Sequence, residues 1–85
     1  MKERDAMRAY QVAAEWDDEA RVWVATSDDV PGLVTEADTK EHLVEKLREL
    51  VPELLSLNAH LLADSERSSE FVIHYTEEQR VRLYA

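Results

Sequence analysis

From Met7 to Trp16 the chain reads MRAYQVAAEW, in which Tyr10, Val12, Ala14 and Trp16 alternate with Gln11 and Glu15. An apolar–polar period of two predicts a strand with one face buried. A polar break of Asp17, Asp18, Glu19 and Ala20 follows, and RVWVATS from Arg21 to Ser27 resumes with β-branched and aromatic side chains, so the two runs predict a hairpin. The break holds no glycine, which forces either a residue near Arg21 into positive φ or a longer loop. Further on, Pro31 presets φ at the second position of a turn and Gly32 readily supplies positive φ at the third. Val30 to Leu33 therefore fits a type II turn. LVTEA, from Leu33 to Ala37, is then a third short strand.

Asp38 or Thr39 can each cap a helix, with Glu41 at the reciprocal position for a cap at Asp38. From Thr39 to about Leu62 the residues Leu43, Leu47, Leu50, Leu54, Leu57 and Leu61 recur in steps of four and three, widened by Val44, Val51, Leu55 and Leu62. This is the stripe of an amphipathic helix facing a core. Pro52 removes a backbone donor inside it and predicts a kink or a break near Val51. DSERSSE at 64–70 reads as a polar loop, EFVIHY at 70–75 as a strand, and Arg80 to Tyr84 as an extra C-terminal strand after TEEQ.

The order β-β-β-α-β predicts an α+β fold, an antiparallel meander with one Pro-kinked helix packed on one face. A crossover through the helix lays the fourth strand beside the first, giving the sheet order 3-2-1-4. Both sheet edges are then candidate interfaces. Residues 1–85 read as one domain, with an ordered core at about 7–76.

At 85 residues a single core is near the lower limit of independent stability, so self-association as a homodimer is expected to help. The absence of cysteine excludes disulfides and thiolate metal sites and points to a reduced cytoplasm. No run approaches the roughly 20 apolar residues of a membrane span, so a soluble protein is expected. Ten Lys and Arg against nineteen Asp and Glu leave a formal charge of −9. That charge repels phosphate backbones, so no direct nucleic-acid contact is expected. It would also steer a basic protein partner toward the chain, although acidity serves solubility alone in many proteins.

Asp17, Asp18, Glu19, Asp28, Asp29, Glu36 and Asp38 could gather at one end of the sheet, and clustered carboxylates can hold magnesium or calcium. SDDVPGLVTEADT nevertheless lacks the ligand spacing of an EF-hand loop, and solvated turns and helix caps account for the same residues. No metal is expected, and a metal-dependent hydrolase stands as a distant alternative. His42, His60 and His74 share no ligand spacing, no serine sits in a nucleophile elbow, and one glycine cannot build a phosphate cradle. The chain is expected to be no enzyme and to need no cofactor. Trp23 must point away from Val22 and Val24. Either it stands on the open sheet face as an interface anchor, or it packs in the core with the valines outside.

The run from Tyr10 to Leu57 carries a family resemblance, above all in WDDEARVWVATSDDVPGLVTEADT and the amphipathic helix after it. It resembles the HicB-like antitoxin domain, and most nearly a short single-domain branch of that superfamily, a domain of unknown function. The resemblance implies a partial ribonuclease-H-like fold. It also implies a non-enzymatic module that neutralises a small basic RNA-cleaving toxin of the HicA type by covering its active surface. An orphan homodimer with a regulatory role of its own is the alternative. Relatives often carry glycine at the first turn, where this chain has Arg21. Many repress their own operon through a C-terminal DNA-binding segment, whereas only HYTEEQRVRLYA follows the fourth strand here, too short for a helix-turn-helix. Trp23, Asp17, Asp18, Asp28 and Asp29 are the expected partner contacts, with Pro31, Gly32, Asp38 and Thr39 as turn and cap.

Overall fold

A computed structural model of the chain describes residues 9–59, 70–78 and 80–83. Strands β1 (Tyr10–Asp17), β2 (Val22–Thr26) and β3 (Val34–Ala37) precede helix α1 (Lys40–Leu57), and β4 (Phe71–Thr76) follows it. The four strands form one sheet in the order β3-β2-β1-β4, with β1 antiparallel to β2, β2 antiparallel to β3, and β1 parallel to β4. This mixed sheet under one helix is the expected α+β fold and strand order. Arg80 to Leu83 add no strand, and Tyr84, His60, Leu61, Leu62 and the expected loop at 64–69 lie outside the described residues.

Two backbone positions with positive φ shape the turns. Arg21 (φ 62°) closes the β1–β2 connection, as the missing glycine there requires. Its N–H donates to the Asp17 carbonyl at 2.8 Å, and the Asp17 carboxylate accepts from the N–H groups of Glu19 and Ala20 at 3.1 and 3.2 Å. Gly32 (φ 81°) completes the turn from Val30 to Leu33, closed by the Leu33 N–H on the Val30 carbonyl at 3.1 Å. Its φ and that bond are those of a type II turn. A side chain at Gly32 would meet Leu54 only at an ordinary 3.8 Å, so the backbone conformation and not crowding favours glycine there.

Helix α1 starts at Thr39, whose Oγ1 accepts from the His42 N–H at 3.0 Å, which settles the choice between the two caps. Leu43, Leu47 and Val51 are buried on its sheet-facing side, with Leu50, Leu54 and Leu55 packed against the core. Of the expected kink or break at Pro52, the break does not occur: one helix runs through it to Leu57. Pro52 is exposed, as is Arg48 one turn earlier, so water can solvate the carbonyl that lacks a donor. Leu57 was expected in the apolar stripe and is instead 69 % exposed. By Leu54 the helix has already reached the Gly32 turn between β2 and β3.

The core lies between α1 and the face of the sheet that carries Tyr10, Val12, Ala14, Trp23, Ala25 and Ala37, joined from β4 by Phe71, Ile73 and Tyr75. Val12, Ala14, Ala25, Leu43 and Leu47 are fully buried, and no polar or charged side chain is buried among the described residues. Such a core stabilises the fold chiefly by removal of apolar surface from water, at about 25 cal/mol per Å².

Candidate functional site

The acidic residues gather only in part: the strand register brings Asp17, Glu36 and Asp38 toward one end of the sheet, and Asp28 and Asp29 lie at the other. Asp17 and Asp18 lie in the β1–β2 turn, whereas the Asp29 carboxylate accepts from the Gln11 N–H at 2.8 Å, near the other end of β1. Six strand residues separate these points, about 20 Å at the usual rise. Most of the carboxylates are also engaged within the chain. Asp17 organises its own turn, and Asp18 Oδ1 pairs with the Arg21 guanidinium at 2.8 Å and accepts from the Trp16 indole at 3.4 Å. Ser27 donates to the Gln11 carbonyl at 2.6 Å and accepts from the N–H groups of Asp29 and Val30. Ser27 and Asp29 thus extend the ladder beyond the last backbone pair, Ala13 with Thr26, and satisfy Gln11 with side chains. Asp28 is exposed beside them. Single-sequence reading missed this staple, because its partners are 16 and 18 positions apart.

Trp23 takes the core alternative. It is 6 % exposed on the helix-covered side, while Val22 and Val24 face outward and are half-buried. An anchor on the open face is therefore not what this residue provides. Instead it joins Trp16 (ring centroids 5.4 Å apart) and Tyr75 (5.1 Å) in two edge-to-face contacts. The Lys40 ammonium lies 5.2 Å from the Trp23 ring and 4.6 Å from the Tyr75 ring, with Glu77 at 3.9 Å. A lysine in the first turn of a helix opposes the helix dipole, and the aromatic faces and Glu77 offset that penalty. Arg21 lies over Trp16 at 5.4 Å. Burial, and secondarily the charge of Glu41, push the Tyr75 phenol above its ordinary pKa.

At the same end, His42 Nδ1 and Asp38 Oδ1 are 2.6 Å apart. The hydrogen bond to His42 lowers the Asp38 pKa, and the same bond raises that of His42, helped by the charges of Asp38, Glu45 and Glu41. Asp38 thus serves as a partner to His42 and leaves the cap to Thr39. Among the described residues, no group of three or more His, Cys, Asp or Glu side chains is placed to hold a metal ion. No described helix is long and apolar enough to cross a membrane.

Among the described residues, no helix covers the other face of the sheet. Alternation brings Gln11, Ala13 and Glu15 of β1, Val22, Val24 and Thr26 of β2, Val34 and Glu36 of β3, and Val72, His74 and Thr76 of β4 to this side. Val34 and Val72 are 71 % and 43 % exposed. His74 Nε2 and Gln11 Oε1 form a hydrogen bond across the β1–β4 pair. The two edges differ. At β3, Lys46 reaches from the helix to the Glu36 carbonyl at 2.6 Å, placing a cation on an edge that could otherwise pair with another strand.

These features define a small acidic α+β domain whose helix covers one side of a mixed four-stranded sheet and, among the described residues, leaves the other side without a helix. The chain belongs to the family described as domain of unknown function (DUF1902), which matches residues 9–85. Among solved structures it is similar to that of a hypothetical protein, TTHA1013, from the extremely thermophilic bacterium Thermus thermophilus. The identity is 43 % with a TM-score of 0.64, covering 89 % of this chain and 100 % of that one. No curated protein matches.

Proposed function

We propose that this chain is a HicB-like antitoxin domain, a cytoplasmic protein-binding module without enzymatic activity that neutralises a small basic RNA-cleaving toxin. The observation that carries this reading is the net charge of −9 on so small a domain. A protein that grips RNA must present cations to phosphates, and an inhibitor that covers those cations needs the opposite field. The resemblance over Tyr10 to Leu57 supports the same reading. So does the open sheet face, since a module that works by covering another protein needs a broad surface and no deep cleft. Homodimerisation belongs to the proposal as a means of adding buried area to a small core.

The test is native mass spectrometry of the protein purified from its own host at low salt. The expected result is a heteromeric mass containing a small basic chain, lost when salt is raised to about 0.5 M, where screening acts within a few ångströms. A preparation that holds only monomer or homodimer would overturn the antitoxin reading in favour of an orphan homodimer with a regulatory role of its own.

A further inference from the structure

We propose that the sheet face that no described helix covers is the docking surface for a basic protein, and that it receives an arginine or lysine over Val24 between the carboxylates of Glu15 and Glu36. The inference rests on the reading above that the partner is basic, and it names the surface and the chemistry. Val24 pairs with Glu15 on β1 and with Glu36 on β3, so the row across the sheet reads Glu36, Val24, Glu15. Strands lie about 4.8 Å apart, which sets the two glutamates about 10 Å apart at the backbone, on either side of the valine. Both are exposed, and Val24 is half-buried. A cationic head above Val24 is within reach of both carboxylates, and its methylene stem lies on apolar surface.

Charge decides among the possible occupants. No described strand position on this face is a lysine or arginine. The described basic residues sit in the β1–β2 turn (Arg21), on α1 (Lys40, Lys46, Arg48) or after β4 (Arg80, Arg82). Lys46 reaches the β3 edge but is held on the Glu36 backbone carbonyl. A second copy stacked on this face would bring acidic rows against each other, which like-charge repulsion disfavours. The outer side of α1 is acidic too, yet Arg48 stands beside Glu45 and Glu49 there and blunts its field. Arg80 lines a hollow with Glu15 but is paired with Glu78 at 3.8 Å. The face therefore combines two carboxylates that hold no ion pair among the described residues with exposed valines, and a basic, partly apolar protein surface complements it.

The experiment titrates the isotope-labelled full chain with a short synthetic peptide alternating arginine and valine, and with a control carrying glutamine in place of arginine, while backbone amide shifts are followed. The arginine peptide is expected to move Ala13, Glu15, Val24 and Glu36, and the glutamine peptide is not. The double variant Glu15→Gln/Glu36→Gln should weaken binding about tenfold, as loss of charge-assisted hydrogen bonds implies. Glu45→Gln/Glu49→Gln removes the same charge from the helix and should change affinity by no more than about twofold. Shifts centred on α1, or equal weakening by both double variants, would overturn the proposal as unspecific attraction. Face shifts that grow with protein concentration before peptide is added would overturn it in favour of a second copy.

The host-purified assembly separates this inference from the reading beneath it. A basic chain that still co-purifies with the Glu15→Gln/Glu36→Gln variant as strongly as with the native protein sinks the surface and leaves the antitoxin reading standing. Peptide docking at the predicted amides, with no basic chain in the host assembly, does the reverse.

Discussion

Asp38 and His42 lie one turn apart at the start of α1, an exposed pair in which each side chain shifts the pKa of the other. A protonated histidine in the first helical turn opposes the helix dipole, and the carboxylate beside it reverses that preference. The folded Asp38 pKa is lowered, so its contribution is present above the unfolded value and is lost as pH falls through the folded one. The folded His42 pKa is raised, so its contribution is present below the unfolded value and is lost as pH rises through the folded one. The pair therefore stabilises the fold most between about pH 4 and pH 6.5. In an NMR titration, Asp38→Asn should bring the His42 midpoint down toward the ordinary imidazole value. The stability lost in that variant should shrink as pH rises past the native His42 midpoint. An unmoved midpoint would show that the two side chains are not coupled in solution.

Legibility at this scale follows conformational permissiveness. Gly32 announced its turn, since glycine beside proline has few other local roles. Arg21 was found only by inference from a hairpin that lacked glycine, and its φ of 62° meets that expectation. The cap was ambiguous because both Asp38 and Thr39 carry the needed oxygen. The contact that decides it, the His42 N–H on Thr39 Oγ1, leaves Asp38 to the His42 ring, and both depend on where the first turn places His42.

At the scale of elements, α1 shows how far a periodic pattern reaches. The steps of three and four defined its buried side correctly for Leu43 and Leu47, and the residues that widen the stripe did so for Val51. They could not show which positions the sheet beneath would cover, and Leu57 is left exposed. Pro52 costs less than its position suggests because it stands on the solvent side. Replacing it with alanine restores a donor to the Arg48 carbonyl, and helix propensities predict a gain of about 1–3 kcal/mol. Urea denaturation measures this directly. A variant no more stable than the native chain would mean that the stiffening of the unfolded chain by proline offsets the lost hydrogen bond.

For the whole molecule, the excess of nine negative charges sets both self-repulsion and attraction for partners. Salt should therefore raise the thermal midpoint of the isolated protein at neutral pH as it screens that repulsion. The gain should fade near the sequence isoelectric point of about 4.6. A midpoint that falls with salt at neutral pH would show that attractive pairs such as Arg21–Asp18 and Lys40–Glu77 outweigh the repulsion. Charge, element order and strand pairing were all legible beforehand. The placement of the acidic residues was legible only in part, since Asp17, Glu36 and Asp38 do lie toward one end but strand length separates Asp17 and Asp18 from Asp28 and Asp29 by the run of β1.

Period two in RVWVATS was enough to place Trp23 opposite Val22 and Val24. Which of those two sides became the core was a tertiary matter, because α1 can cover only one face as the chain passes from β3 to β4. Trp16, Trp23 and Tyr75 share the covered side, and together they remove more apolar surface from water than the smaller valines would. The valines, with Glu15 and Glu36 beside them, were left on the open face.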